Sequence, residues 1–126
     1  MPPQTIMLVD DDPTIRQLGR ELLESQGFRV EIAENAPQAL ELFQELDRVD
    51  LVILDYHLPG GDGLGLVREL RALDAGVPLL IASGFLSRRE IIPLKESGVQ
   101  GIIYKPFRLK ELQQWIRVAL ASVPAG

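Results

Sequence analysis

Residues 51 to 60 read LVILDYHLPG. Leu51, Val52, Ile53 and Leu54 place aliphatic side chains on both faces of an extended chain before it ends at Asp55. A strand that is apolar on both faces belongs in the middle of a parallel sheet with helices above and below, because a half-solvated strand would alternate. Pro59 and Gly60 then turn the chain away. Asp55 is therefore presented at the carboxyl end of a central strand, where open parallel sheets hold their ligands.

The same grammar runs outward in both directions. Strands are expected at 5–9 (TIMLV), 28–33 (FRVEIA), 51–55, 78–83 (PLLIAS) and 101–106 (GIIYKP). Each is followed by a helix-period segment. Asp12 and Pro13 open the first helix and Gly27 closes it, with Ile15, Leu18, Leu22 and Leu23 on one face. Asn35 and Pro37 open the second helix, which carries Ala39, Leu40, Phe43 and Leu46. Leu66, Val67 and Leu70 face inward on the third. Ser87 and Glu90 form a capping box for the fourth, and Pro93 inside it predicts a kinked, short or mobile helix. Leu109, Leu112, Ile116 and Leu120 form the stripe of the last. Five strand–helix units predict one domain over 1–126, its core at about 5–121. The predicted fold class is α/β: a three-layer, doubly wound (βα)5 fold with a five-stranded parallel sheet. The second strand alternates and so reads as an edge.

Composition bounds the function. The 126 residues are 46% hydrophobic and 25% charged, an ordinary globular balance. The net charge of −5 repels phosphate backbones, so no direct nucleic-acid partner is expected. No apolar run approaches the roughly 20 residues of a membrane span, so no membrane partner is expected either. There is no cysteine and MPPQT has no signal-peptide pattern, which makes cytoplasmic residence the expectation.

The polar residues at the strand ends converge. Asp10, Asp11 and Asp12 follow the first strand, Asp55 ends the third, Ser83 and Gly84 follow the fourth, and Lys105 and Pro106 follow the fifth. The second strand ends in the bland AEN. Carboxylates gathered at one crevice repel each other unless a cation neutralises them. An all-oxygen set favours a hard divalent ion such as Mg2+. Such a site, with Ser83 and Lys105 to hold phosphoryl oxygens, suits phosphoryl transfer, which runs on positioning and charge neutralisation. Asp12 reads as the helix cap, leaving Asp10 and Asp11 for the site. His57 is the only histidine, so an imidazole-based metal site has no support. GGDG (60–63) lacks the spacing of a nucleotide-binding loop and reads as a flexible loop, with Asp62 a candidate cap. Trp115 sits at the margin of its helix's apolar face and reads as core.

The segments VDDD (9–12), LVILDYHLPG (51–60), IASG (81–84) and YKPF (104–107) resemble the receiver domain of bacterial two-component response regulators, chemotaxis regulators included. The resemblance covers about residues 5 to 121, with all four motifs in order. It implies a flavodoxin-like fold with strand order 2-1-3-4-5, in which the second strand is an edge. It also implies that Asp55 accepts a phosphoryl group from the phosphohistidine of a histidine kinase or histidine phosphotransfer domain. Asp10, Asp11, Asp55 and the backbone carbonyl of His57 would bind Mg2+. Ser83 is the implied switch hydroxyl, Lys105 the implied phosphoryl partner, and Gly84 the small residue that keeps the site accessible. His57 and Phe85 are the implied flanks that tune the acyl-phosphate lifetime, and the Lys105–Pro106 peptide is implied to be cis. The implied output is a change in the face of the fourth helix, fifth strand and fifth helix. That face would meet a downstream protein or a covalently linked domain, or form a phosphorylation-dependent homodimer. One departure stands out: Ile102 occupies the place where the family commonly carries an aromatic switch residue.

Two other classes fit these residues less well. A phosphohydrolase using Asp55 as nucleophile would resemble haloacid-dehalogenase-like enzymes, but their second aspartate two residues on is His57 here. A docking module that is never phosphorylated would have no need of the full residue set. The chain closes at SVPAG soon after the last helix, so a stand-alone receiver and a piece of a longer protein, such as a hybrid histidine kinase, are both open readings.

Overall fold

A computed structural model describes residues 3–59 and 61–122. Along the chain lie β1 (Thr5–Val9), α1 (Pro13–Ser25), β2 (Arg29–Ala33), α2 (Ala36–Glu45), β3 (Leu51–Asp55), β4 (His57–Leu58), β5 (Gly61–Asp62), α3 (Gly63–Leu73), β6 (Leu79–Ser83), α4 (Arg88–Glu96), β7 (Gly101–Tyr104) and α5 (Leu109–Ala121). The five long strands form one sheet in the order β2-β1-β3-β6-β7. Every neighbouring pair is parallel. Counting only these five strands, this is the order 2-1-3-4-5.

The sequence builds this sheet by filling both sides of its middle. All residues of β1, β3 and β6 are buried. Met7, Val9, Val52, Leu54, Leu79 and Ile81 pack with Ala39 of α2, Leu66, Val67 and Leu70 of α3, and Leu94 of α4. Ile6, Leu8, Leu51, Ile53, Leu80 and Ile103 pack on the other side with Leu23 of α1 and with Leu112, Ile116 and Ala119 of α5. Alternation along each strand thus feeds two cores at once. β2 is one edge, and only Val30 and Ala33 of its five residues are buried.

The helix starts follow their caps. Asp12 accepts from the Thr14 amide, Asn35 from Gln38 and Asp62 from Gly65. Ser87 and Glu90 form the reciprocal box of α4. The two bonds from the Ser87 amide and hydroxyl hold the Glu90 carboxyl below its ordinary range. α4 is 9 residues long with Pro93 inside it. Its far end is clamped from α3: the Arg71 guanidinium donates to the carbonyls of Ser97 (2.9 Å), Val77 (2.5 Å) and Gly98 (2.8 Å).

The structure departs from the sequence expectations in four places. The stretch after β3 is not a plain loop: His57 pairs with Asp62 and Leu58 with Gly61, antiparallel. (Gly60 of that stretch lies outside the described residues.) The second strand begins at Arg29 and the fourth at Leu79, and the fifth ends at Tyr104, two residues short of the expected range. Leu18 is 50% exposed and lines an apolar groove of about 420 Å3 together with Ile15, Leu22 and Phe107 among others. Leu109 is 41% exposed. It is the first residue of α5.

Candidate functional site

Strand ends bring the polar residues to one crevice. Asp10 directly follows β1 and is 2% exposed; Asp55 ends β3 and is 8% exposed. Their strands are neighbours in register, Leu8 opposite Ile53 and Val9 opposite Leu54. On the far side of β3, Asp55 pairs with Ala82 of β6, which places Ser83 one residue beyond. Ser83 in turn pairs with Tyr104, and the Lys105 amide donates to the Ser83 carbonyl at 2.8 Å. The adjoining Lys105–Pro106 peptide is cis.

Lys105 closes the set. Its Nζ donates to Asp10 Oδ2 at 2.6 Å and to Asp55 Oδ2 at 3.0 Å. Burial alone would lower the Lys105 pKa, but the hydrogen bonds and charges of Asp10 and Asp55 outweigh it, and the net shift is upward. The other oxygens are spoken for as well: the Asp12 amide donates to Asp10 Oδ1 at 2.9 Å, and the His57 amide donates to Asp55 Oδ1 at 3.0 Å. Asp11 is exposed beside them.

Carboxylate oxygens of Asp10, Asp11 and Asp55 lie within 4.8 Å of one another. Three carboxylates face one ammonium, which leaves formal negative charge at the crevice. Hard oxygen donors at this spacing, with residual charge to neutralise, fit a divalent cation of the Mg2+ type. His57 contributes its amide to Asp55 in this structure, and its imidazole is exposed, edge-on to the Tyr56 ring at 5.1 Å.

The remaining residues ring the crevice. Ser83 is fully buried, and its hydroxyl donates to the Phe85 carbonyl at 3.2 Å, back onto its own loop. A methyl group added at Gly84 would meet no atom within 4 Å, so packing does not demand glycine there. Phe85 is 74% exposed. The β4–β5 hairpin folds back so closely that the Gly63 amide donates to the Tyr56 carbonyl at 2.6 Å. A Cβ at Gly63 would sit 2.7 Å from the Tyr56 backbone. Glycine is therefore fixed here by a close approach.

Ile102 is partly buried against the α2–α3–α4 core, and Tyr104, on the same face of β7, is exposed. Trp115 packs on the other face, its ring covering Gly101. Sequence reasoning did not find Arg16, whose Nη1 donates to the Asp10 carbonyl at 2.7 Å. A side chain that binds a backbone carbonyl carries no partner residue for a sequence pattern to reveal.

Comparison with known proteins agrees with this construction. Residues 6–117 match the model of the response regulator receiver domain. The DNA-binding response regulator MtrA of Mycolicibacterium smegmatis is 38% identical over 117 residues, covering 93% of this chain and 50% of that protein. The sensor histidine kinase AruS of Pseudomonas aeruginosa is 36% identical, with 95% of this chain matching 12% of the kinase. The chain thus spans about half the length of MtrA and a small part of AruS. Among solved structures, a CheY-like receiver domain protein from Methanospirillum hungatei superposes with a TM-score of 0.90 at 27% identity, covering 94% of each chain. By sequence and by fold, the chain belongs to the response regulator receiver domain family of two-component signalling.

Proposed function

We propose that this domain accepts a phosphoryl group on Asp55 from a histidine kinase or histidine phosphotransfer domain, with Mg2+ bound by Asp10, Asp11, Asp55 and the His57 carbonyl. The observation that carries this reading is the Asp55 carboxylate itself. It is nearly buried, held by the His57 amide on one oxygen and Lys105 on the other, with two further carboxylates alongside. A nucleophile fixed in this way needs little reorganisation before reaction.

In the proposed step an Asp55 oxygen attacks phosphorus, a P–O bond forms, and the P–N bond to the donor imidazole breaks. The departing imidazole keeps the bonding pair and takes up a proton. Bound Mg2+ would supply charge neutralisation for the incoming phosphoryl oxygens. Lys105 sits on the same carboxylate and offers them its ammonium, and Ser83 has a hydroxyl free to leave the Phe85 carbonyl for them. His57 and Phe85 flank the opening and would govern water access, hence the lifetime of the aspartyl phosphate. The domain catalyses its own phosphorylation and dephosphorylation only and has no separate substrate.

The output is a change in the α4–β7–α5 face, read by a downstream protein, a linked domain or a second copy. MtrA is named as DNA-binding, but this acidic segment matches half of it and is assigned no nucleic-acid contact of its own. Residence is assigned to the cytoplasm; none of the described helices is long and apolar enough to cross a membrane.

The test is intact mass after incubation with Mg2+ and acetyl phosphate. The wild type gains one phosphate and Asp55→Asn gains none. Absence of uptake by the wild type, or equal uptake by Asp55→Asn, would overturn the assignment.

A further inference from the structure

The structure points to Arg16 as the positioning residue that sets the cation affinity of the site, and we infer this on the basis of the reading above, in which Asp10 and Asp11 hold Mg2+. Each polar group of Asp10 has one partner. Its amide donates to the Ala33 carbonyl at 3.1 Å, its Oδ1 accepts from the Asp12 amide, and its Oδ2 accepts from Lys105. The last group, the carbonyl, accepts from Arg16 Nη1 at 2.7 Å.

Arg16 grips this turn twice. Its own amide donates to the Asp12 carbonyl at 3.0 Å, closing the first turn of α1, while its guanidinium reaches back over that turn to Asp10. The side chain is 15% exposed, and its other nitrogen, Nη2, stands 3.6 Å from Glu34 Oε2, just past the end of β2. Arg16 therefore ties the segment after β1 to the segment after β2. Asp11 lies between Asp10 and Asp12, so the backbone of this turn decides where its exposed carboxylate begins.

The chemistry of the contact separates Arg16 from Lys105. Lys105 binds the carboxylate oxygens that a cation would need and so competes with it. Arg16 binds the backbone carbonyl and takes up neither carboxylate oxygen. A charged donor to a carbonyl makes a short, strong hydrogen bond. Partners that orient metal ligands in this way commonly control affinity by about 10- to 100-fold. Glu34 is half-exposed, so its pairing adds little beyond steering the guanidinium.

The experiment is calorimetric titration with Mg2+ of wild type, Arg16→Ala, Arg16→Lys and Leu23→Ala. Leu23 is buried near the end of α1, more than two turns along the helix from the segment of Asp10, so its truncation loosens the helix but not the turn. Arg16→Ala is expected to weaken Mg2+ binding by about tenfold, and Leu23→Ala by less than about twofold. Arg16→Lys keeps a cationic donor and should recover most of the loss. In acetyl phosphate assays, Arg16→Ala should need about tenfold more Mg2+ for half-maximal rate while its plateau stays within about twofold of wild type.

Unchanged Mg2+ affinity in Arg16→Ala, or an equal loss in Leu23→Ala, would overturn the inference and leave the phosphoacceptor reading intact. A wild type that binds no Mg2+ would strike that reading itself. Should Arg16→Ala not fold, Arg16→Gln supplies the same comparison with a neutral donor.

Discussion

β3 and β7 are separated by one strand in the same sheet, yet they are built differently. β3 is buried at every residue, with apolar side chains feeding both cores and Asp55 at its tip. β7 is an edge: of its four residues only Ile103 is buried, Tyr104 is exposed, and Gly101 is covered by an indole rather than by a side chain of its own. A close-packed strand has one arrangement available and an edge has several. In the proposed reading, the fixed carboxylate belongs on the first and the surface that changes on phosphorylation on the second.

Truncation should expose the contrast most strongly. Leu54→Ala removes a fully buried side chain from β3 and is expected to cost about 3 kcal/mol in urea unfolding. Ile102→Ala removes a partly buried one from β7 and should cost about 1 kcal/mol. Equal losses would break the comparison.

Lys105→Met comes next. It leaves Asp10 and Asp55 facing each other without their shared cation, and a loss of about 2 kcal/mol is expected at neutral pH in the absence of divalent ions. Added Mg2+ should narrow the gap. The pairing raises the Lys105 pKa. Its stabilisation is therefore complete below the ordinary lysine value and fades as pH rises through the raised one. The variant should lack that alkaline loss, which unfolding curves across the alkaline range would show.

Gly101→Ala sharpens the picture of the edge. The new Cβ would lie 2.1 Å from the Trp115 ring, so the indole must move aside. A cost of about 1 kcal/mol is expected, with a red shift in emission from the chain's single Trp. An unshifted spectrum would mean that the ring does not rest on Gly101. Gly84→Ala is the smallest effect: open space surrounds the position, and stability should change by less than about 0.5 kcal/mol. Any change it brings to phosphate uptake is then an effect on access.

Much of this architecture could be read from the chain because β3 is unambiguous. Its two apolar faces require a central parallel strand, and β1, β6 and β7 end at or just before residues whose chemistry matches Asp55. Helical periodicity was less informative at Leu18 and Leu109. It gives the side a residue faces, not whether a neighbour reaches it: Leu18 lines an open groove, and Leu109 starts its helix. The β4–β5 hairpin escaped because two-residue strands are too short to show alternation; the close approach at Gly63 is what shapes them. Arg16 and Arg71 both bind backbone carbonyls, a kind of contact that leaves no complementary residue in the sequence.

Amide hydrogen exchange with and without Mg2+ and beryllofluoride, a phosphoryl mimic, tests the division between centre and edge most directly. Protection in β1 and β3 should stay constant, while the amides of α4 and β7 change. Equal changes in β3 and β7, or changes confined to residues 10–12 and 55–58, would contradict it.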